Sequence, residues 1–133
     1  FYIPTIYGAG ENPKRLIPYV INAIHNGEEL HFTAGDQTRQ YVHVSEVPRM
    51  LAQAFEKNLP SGLYNIQGTE TVTVKEIVTE IHHAMGKEVP DGCFGSVQRA
   101  DVGMKYLALD GKKLHDATGF EASIKITDVI DTY

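Results

Sequence analysis

The stretch that decides the fold reads Gly35-Asp36-Gln37-Thr38-Arg39-Gln40-Tyr41-Val42-His43-Val44-Ser45-Glu46. Its first two residues are a turn dipeptide. The run from Tyr41 to Val44 is rich in β-branched and aromatic residues, which predicts a strand. Ser45 is a favoured N-cap residue, so a helix is expected to begin directly after it. The stretch therefore predicts a turn, a strand and a helix in immediate succession.

Arg39 lies where the predicted strand leaves the turn. A guanidinium group on a stiff backbone suits fork-like recognition of a phosphate or a carboxylate. The alternative is an ordinary surface arginine in a hairpin. This stretch alone leaves both interpretations open.

The flanking sequence extends the pattern in both directions. Runs of apolar residues at spacings of two predict strands, and apolar residues three and four apart predict helices. The expected strands are Phe1–Ile6, Leu30–Thr33 (a hairpin partner for the strand after Gly35), Leu63–Ile66 and Tyr106–Leu109. The expected helices begin near Leu16 (ending at Asn26-Gly27), after Ser45, after Thr73 in a capping box with Glu76, after Asp110 (ending at Gly119), and over Ser123–Tyr133.

The helix after Ser45 carries five apolar residues that we expect to face inward: Val47, Met50, Leu51, Ala54 and Phe55. The order of all these elements, with short strands and flanking helices, is typical of an α/β fold.

Composition indicates one ordinary soluble domain over residues 1–133. A formal net charge of −5 argues against a nucleic-acid partner, which would need a basic surface. We find neither a signal peptide nor an apolar run of the roughly 20 residues that a membrane span needs. The single cysteine, Cys93, excludes an internal disulfide and fits a cytoplasmic location. The six histidines lie in separate elements or diverge on a helix, so no metal site is expected.

Several strings in this order resemble those of a known family: Tyr7-Gly8, Leu16-Ile17-Pro18, Gly35 to Glu46, Tyr64-Asn65-Ile66 and Thr118-Gly119-Phe120. Together they resemble the C-terminal, substrate-binding half of the extended short-chain dehydrogenase/reductases. These are the NAD(P)-dependent epimerases and dehydratases of nucleotide sugars, with a Rossmann-type fold. The stretch from Leu30 to Gln37 also resembles members that act on CDP-linked sugars.

The resemblance also shows what this chain lacks. In the family, the cofactor's pyrophosphate rests on a Gly-x-x-Gly-x-x-Gly turn at a helix start, and a Tyr-x-x-x-Lys pair does the acid/base chemistry. Neither string occurs in this sequence. The chain also opens on Phe1 rather than on a methionine, and it closes on Tyr133 inside a helical pattern. We therefore expect a fragment of a larger enzyme whose N-terminal cofactor-binding half is missing.

The resemblance implies a set of substrate-binding residues. Arg39 matches the arginine that reaches the ribose or diphosphate, and Tyr41, on the same strand face, is either a nucleoside contact or a core residue. Thr5 takes the place of the usual asparagine, and Leu16 matches a position beside the base or ribose, with core packing as its alternative. A second string, Arg99-Ala100-Asp101, is close to the family's Arg-x-Gly-Asp. It implies that Arg99 contacts phosphate and that Asp101 bonds a ribose hydroxyl.

One departure from the family pattern bears on Arg39. Gln40 replaces the usual aspartate, and we expect the loss of that carboxylate to loosen the arginine.

Two functions follow as expectations. The first is the nucleotide-sugar-binding half of an NAD(P)-dependent epimerase or dehydratase, whose intact form transfers hydride through a keto-sugar intermediate. The second is a redox-silent nucleotide-binding or interaction module of the same fold. In either case, we expect no catalytic residues, no bound NAD or NADP and no activity from this chain alone. Exposed strand edges would favour a homo-oligomer.

Overall fold

The computed structural model describes residues 1–98 and 103–133. Its four-stranded sheet is built on β2 (Thr38–His43). This strand pairs in parallel with β1 (Thr5–Tyr7) and β4 (Tyr106–Leu107), and antiparallel with β3 (Glu70–Thr73). The strand expected from Tyr41 is confirmed, although it begins at Thr38. β3 is a strand that the sequence pattern did not predict.

Helices flank this sheet, in agreement with the predicted α/β class. They are α1 (Leu16–Asn26), α2 (Glu46–Glu56), α3 (Val74–Ala84), α4 (Lys112–Thr118) and α5 (Ile126–Val129), followed by a 3₁₀ turn over Ile130–Thr132.

Local sequence signals set the end of α1 and the start of α3. Gly27 adopts the left-handed conformation after α1, with φ of 68°, as a C-terminal glycine should. Thr73 and Glu76 form the expected capping box: the threonine hydroxyl accepts from the Glu76 N–H at 3.1 Å, and Glu76 accepts from the Thr73 N–H at 2.7 Å. Both predictions are confirmed.

The core is divided between the two faces of β2. Tyr41 packs into a cluster with α1, α3 and α5, whereas Val42 packs into a second cluster with Met50 of α2 and Leu114 of α4. Successive side chains of a strand point to opposite faces, so adjacent residues can serve separate cores.

The predicted hairpin around Gly35 is wrong. Residues 30–33 form no strand, and Phe32 makes a single parallel bridge to Phe94 instead. β2 has no room for such a partner, because β3 occupies one of its edges and β1 and β4 share the other. The Leu63–Ile66 strand is similarly reduced to one bridge, between Asn65 and Tyr2.

The predicted inward face of α2 is only partly right. Met50 and Ala54 are buried, but Leu51 and Phe55 are exposed, Phe55 by 86%. The two pairs form neighbouring i, i+4 rows on the helix surface, and only one row fits against the sheet.

Two helix starts differ from expectation. Ser45 precedes α2 but does not cap it, since its hydroxyl contacts Nδ1 of His43 at 2.8 Å. Asp110 stands one residue before the N-cap Gly111, and its carboxylate accepts from the Lys112 N–H at 2.9 Å.

Gln40 does not face Arg39. Its buried amide lies on the opposite side of β2, where it accepts from the Gly68 N–H at 3.0 Å and donates to the Leu109 carbonyl at 3.1 Å. It therefore joins distant segments rather than orienting the arginine, and the expected loosening of Arg39 has no basis here. Gly68 has to be glycine, because a Cβ there would lie 2.2 Å from the Tyr41 carbonyl oxygen.

The predicted helix over Ser123–Tyr133 is shortened by buried carboxylates. One oxygen of Glu46 accepts from the N–H groups of Ser123 at 2.9 Å and Ile124 at 3.1 Å. Glu70 accepts from the Ile126 N–H at 3.0 Å. These bonds hold residues 123–125 outside the helix, which begins only at Ile126, and Lys125 before it has an extended backbone.

The surroundings of Glu46 and Glu70 shift the pKa values of the two carboxyl groups in opposite directions. Burial alone would raise the pKa of Glu46, but hydrogen bonds from Ser123, Arg49 and Ile124 outweigh it and lower the pKa. Burial raises the pKa of Glu70, where the bond from Ile126 and the nearby Lys125 do not offset it. The charge on Glu46 therefore stabilises the fold, whereas the charge on Glu70 is unfavourable.

Within residues 1–98 and 103–133, no helix has the length and apolar character to cross a membrane.

Replacing these two glutamates separates their effects. We expect Glu46→Gln to lower the free energy of unfolding at pH 7 by about 1.5–3 kcal/mol, since it removes charge-assisted hydrogen bonds to a buried group. The stability from Glu46 is present above its unfolded pKa and is lost as the pH falls through the lower folded value. The difference in the free energy of unfolding between wild type and Glu46→Gln should therefore become smaller at acidic pH. Urea denaturation at several pH values measures this difference.

Glu70→Gln is the matched control for that experiment. It removes a charge of unfavourable energy and keeps an oxygen that can accept from Ile126, so stability at pH 7 should stay within about 1 kcal/mol of wild type or rise. Equal decreases in the free energy of unfolding for Glu46→Gln and Glu70→Gln would contradict the conclusion that only the charge on Glu46 stabilises the fold.

The second prediction concerns self-association. Residues 1–3 pair with residues 64–66 through Tyr2 alone, and Phe1, Leu51, Phe55 and Leu63 are exposed nearby. An open strand edge beside exposed apolar side chains invites pairing with another copy. We expect sedimentation to show dimers or larger species at high concentration, and Phe55→Glu to shift them toward monomer. Tyr106→Glu, at an exposed aromatic outside this surface, should not. A wild-type monomer at high concentration would contradict the prediction.

Candidate functional site

Four of the six predicted site residues line one cavity. Thr5, Leu16, Arg39 and Tyr41 surround a space of about 290 Å³ between the sheet and the start of α1. The other two, Arg99 and Asp101, lie outside the described residues.

Strand pairing explains why three of these side chains meet. Thr5 of β1 is the direct partner of Tyr41 on β2. Arg39 precedes Tyr41 by two residues and so lies on the same face of the sheet. Leu16 is the first residue of α1 and closes the cavity from the side.

The guanidinium of Arg39 is half-buried and lies close to its own backbone. One terminal nitrogen donates to the Thr38 carbonyl at 2.8 Å. No carboxylate forms an ion pair with Arg39 within the described part of the chain. Among those residues, no carboxylate neutralises the charge of Arg39.

Tyr41 offers a neutral hydroxyl to the same space. Burial raises the pKa of Tyr41 to about 12, and the neighbouring Arg39 and Arg15 only partly oppose that rise. The hydroxyl is therefore protonated at neutral pH and can donate a hydrogen bond. Tyr7 also lines the cavity, but its hydroxyl donates to the Ile124 carbonyl at 2.9 Å and is already engaged.

Arg15 and Glu11 are wall residues that were not among the predicted contacts. Nε of Arg15 lies 3.0 Å from a Glu11 carboxylate oxygen, and the other oxygen of Glu11 accepts from the Tyr133 hydroxyl at 2.8 Å. The i, i+4 spacing of acid and base was a signal for this pair in the sequence. The cavity thus carries two guanidinium groups and one carboxylate, a balance that favours a small anion.

The described residues contain no group of three or more His, Cys, Asp or Glu side chains that could hold a metal ion. Cys93 is buried, and burial raises the pKa of its thiol, so it offers no ready thiolate.

The sequence of this chain is similar to a known protein family and to curated proteins. The model of the NAD dependent epimerase/dehydratase family matches residues 1–66. The chain is 26% identical to CDP-abequose synthase of Salmonella muenchen over 87 residues, which is 62% of this chain and 30% of that protein. It is also 26% identical to dTDP-glucose 4,6-dehydratase of Streptomyces griseus over 127 residues, which is 92% of this chain and 37% of that protein. These matches support the NAD-dependent epimerase/dehydratase family.

The fold is shared with solved structures of epimerases and dehydratases. UDP-glucuronic acid 4-epimerase from Bacillus cereus, in complex with UDP-glucuronic acid and NAD, superposes with a TM-score of 0.80. The match has 20% identity and covers 98% of this chain and 41% of that one. The chain therefore has an α/β Rossmann-like fold, and it spans about a third of the length of the two curated relatives.

The residues of this chain do not fit the nicotinamide cofactor that the epimerase/dehydratase family implies. The loop over Gly8–Gly10 does not lead directly into a helix, because α1 begins only at Leu16. The printed sequence also has no Gly-x-x-Gly-x-x-Gly turn, on which the cofactor's pyrophosphate would rest at a helix start.

The balance of charge in the cavity can be tested with a simple anion. Glu11→Gln removes the carboxylate that pairs with Arg15, so we expect inorganic pyrophosphate to bind the chain about two- to fivefold more tightly. Isothermal titration calorimetry measures the change. Glu56→Gln removes an exposed carboxylate outside the cavity and serves as the control. Equal or weaker binding by Glu11→Gln would show that Arg15 does not face the anion.

Proposed function

We propose that residues 1–133 form the substrate-binding domain of an NAD-dependent nucleotide-sugar epimerase or dehydratase. In this proposal, the cavity between β1, β2 and α1 holds the diphosphate and adjoining ribose of a nucleotide sugar. The supporting observation is the convergence of Thr5, Leu16, Arg39 and Tyr41 on that one cavity.

The size and chemistry of the cavity suit a part of such a ligand. A space of about 290 Å³ lies at the lower end of the range for small-molecule sites, so it fits the diphosphate region and not a whole nucleotide sugar. Arg39 and Arg15 supply the positive charge, and the hydroxyls of Tyr41 and Thr5 supply donors. Leu16 offers an apolar surface to the ribose or base.

Arg99 and Asp101 complete the proposed site on the basis of sequence alone. The string Arg99-Ala100-Asp101 resembles the Arg-x-Gly-Asp of the family. Under the proposal, Arg99 gives a second phosphate contact and Asp101 a ribose contact.

The share of the reaction carried by this chain is binding and orientation. The printed sequence contains neither a Tyr-x-x-x-Lys pair nor a Gly-x-x-Gly-x-x-Gly turn. The curated relatives are about three times as long as the matched region. We therefore propose that a further cofactor-binding part supplies NAD and the acid/base pair in the intact enzyme.

The identity of the nucleotide base in the proposed ligand is best tested first with CDP-linked sugars. The stretch from Leu30 to Gln37 resembles members acting on CDP-linked sugars, and one curated relative is named CDP-abequose synthase. UDP-linked and dTDP-linked sugars are the comparison ligands, because the other relatives and solved structures carry those names.

Arg39 is the residue on which the proposal depends. Losing a charge-assisted and bidentate bond to phosphate costs about 1.5–3 kcal/mol, so Arg39→Ala should weaken nucleotide-sugar binding roughly tenfold to 150-fold. Arg39→Lys should recover only part of that loss, since an ammonium group lacks the planar fork. Calorimetric titration with CDP-, UDP- and dTDP-glucose measures the affinities.

Thermal melts and a surface control complete the experiment. Lys57→Ala removes an exposed cation outside the cavity and should bind like wild type. The melting temperature of Arg39→Ala should stay close to that of wild type, because within the described residues the half-buried guanidinium donates only to the neighbouring Thr38 carbonyl. Unchanged affinity in Arg39→Ala would exclude the site, and unfolding would show that Arg39 is structural. Absence of binding to all three nucleotide sugars by the wild-type chain would favour the redox-silent interaction module.

A further inference from the structure

Tyr133 reaches the candidate nucleotide site from the far end of the chain. Its ring follows the 3₁₀ turn over Ile130–Thr132 and packs against the core cluster beneath α1 and α3. Its hydroxyl donates to Oε1 of Glu11 at 2.8 Å, across 122 positions of sequence. Tyr133 is not among the described residues that line the cavity, whereas Glu11 is. Tyr133 can therefore act on a ligand there only through a neighbouring side chain.

The hydroxyl of Tyr133 keeps its proton at neutral pH. An ionised carboxylate can only accept a hydrogen bond, so the proton of this bond comes from the tyrosine. Burial and the hydrogen bond to Glu11 both raise the pKa of Tyr133. The hydroxyl is therefore a dependable donor that restrains Oε1 of Glu11.

The other oxygen of Glu11 contacts Arg15. Oε2 lies 3.0 Å from Nε of Arg15. A carboxylate and a guanidinium can also form two parallel hydrogen bonds, and that arrangement engages both oxygens and a terminal nitrogen. Here Oε1 is bonded to Tyr133, and terminal nitrogen Nη2 of Arg15 lies 3.5 Å from the carbonyl oxygen of Ile6, a cavity residue of β1. The terminal end of the guanidinium thus lies beside the cavity.

The charges of Arg15 and Glu11 both act inside the cavity. The two residues line it together with Arg39 and Tyr41. Burial has the largest effect on the pKa of Tyr41 and raises it, the charges of Arg39 and Arg15 lower it, and the charge of Glu11 raises it again. The hydroxyl of Tyr41 is therefore within electrostatic reach of all three charged groups. How strongly Arg15 attracts an anion depends on how closely Glu11 neutralises it.

Given the function proposed above, we propose that Tyr133 is a positioning residue of the site, which keeps Arg15 available to a diphosphate by restraining Glu11. Without the hydroxyl, Oε1 of Glu11 is free to turn toward Arg15 and to form the second parallel bond. The guanidinium is then neutralised more completely and is drawn away from the ligand. Both changes weaken the attraction for an anion.

Removal of the single hydroxyl tests this role. Tyr133→Phe keeps the ring, and we expect it to weaken binding of inorganic pyrophosphate and of CDP-, UDP- or dTDP-glucose about threefold to tenfold in calorimetric titration. Tyr64→Phe is the matched control, because its hydroxyl donates to the Pro60 carbonyl at 2.9 Å, outside the cavity. This control should bind like wild type. Unchanged affinity in Tyr133→Phe would overturn the proposal.

A double-mutant cycle separates positioning from a general loss of structure. Glu11→Gln removes the carboxylate charge through which Tyr133 acts, so adding Tyr133→Phe to that variant should cause no further loss of affinity for pyrophosphate. The same result is expected in an Arg15→Gln background, because the guanidinium is gone. A loss of the same size in wild type and in both backgrounds would show a merely structural role and would overturn the proposal.

The two kinds of ligand distinguish this proposal from the function on which it rests. Pyrophosphate binding that depends on Tyr133, without binding of any nucleotide sugar, would contradict the proposed function and support the role of Tyr133. Nucleotide-sugar binding that is lost in Arg39→Ala but unchanged in Tyr133→Phe would do the reverse. A wild-type chain that binds neither kind of ligand would overturn both.

A measurement on the wild-type chain decides if Tyr133→Phe does not fold. In an NMR titration with pyrophosphate, the terminal Nη resonances of Arg15 should shift more than its Nε resonance, because Nε stays bonded to Glu11. A larger shift at Nε would overturn the proposal.

Discussion

Hydrogen bonding along both edges of β2 is the constraint on which the rest of the structure depends. β3 pairs with one edge, and β1 and β4 share the other, so the strand cannot slide or turn over. Its side chains therefore alternate between fixed environments. Tyr41 enters the core beneath α1 and α3, Val42 enters the core beneath α2, and Arg39 emerges at the cavity.

Buried polar side chains connect this sheet to segments far away in the sequence. Gln40 bonds residues 68, 71 and 109, and Glu46 and Glu70 bond the segment over residues 123–126. Gln40 and Glu46 each have several hydrogen-bond partners, which is the condition under which burial of a polar side chain is tolerated, whereas Glu70 has only the bond from Ile126 and remains unfavourable when charged. The hydroxyl of Tyr133 likewise donates a hydrogen bond to the Glu11 carboxylate, so the C-terminal segment also supports one wall of the candidate site.

Charge is distributed unevenly over a chain that is acidic as a whole. Two guanidinium groups and one carboxylate line the cavity beside β1, whereas a separate cavity at the carboxyl ends of α1 and α3 is lined by the carboxylates of Glu28, Glu29, Glu88 and Asp91 and by one ammonium group, that of Lys87. Net charge alone would have pointed to repulsion of anions everywhere. Local placement decides instead, because interactions between exposed charges are screened within about 10 Å at ordinary salt concentration.

The sequence by itself determined the features that depend on neighbouring residues. The strand around Tyr41, the end of α1 at Gly27 and the capping box at Thr73 each follow from short-range sterics and hydrogen bonding. The grouping of Arg39 with Tyr41 followed from strand alternation, and the link to Thr5 and Leu16 came from the family resemblance. Only the tertiary structure decided which strands pair, which row of α2 is buried and where the C-terminal helix begins. These outcomes depend on which edges and carboxylates are already occupied, and that competition among distant groups leaves no local trace in the sequence.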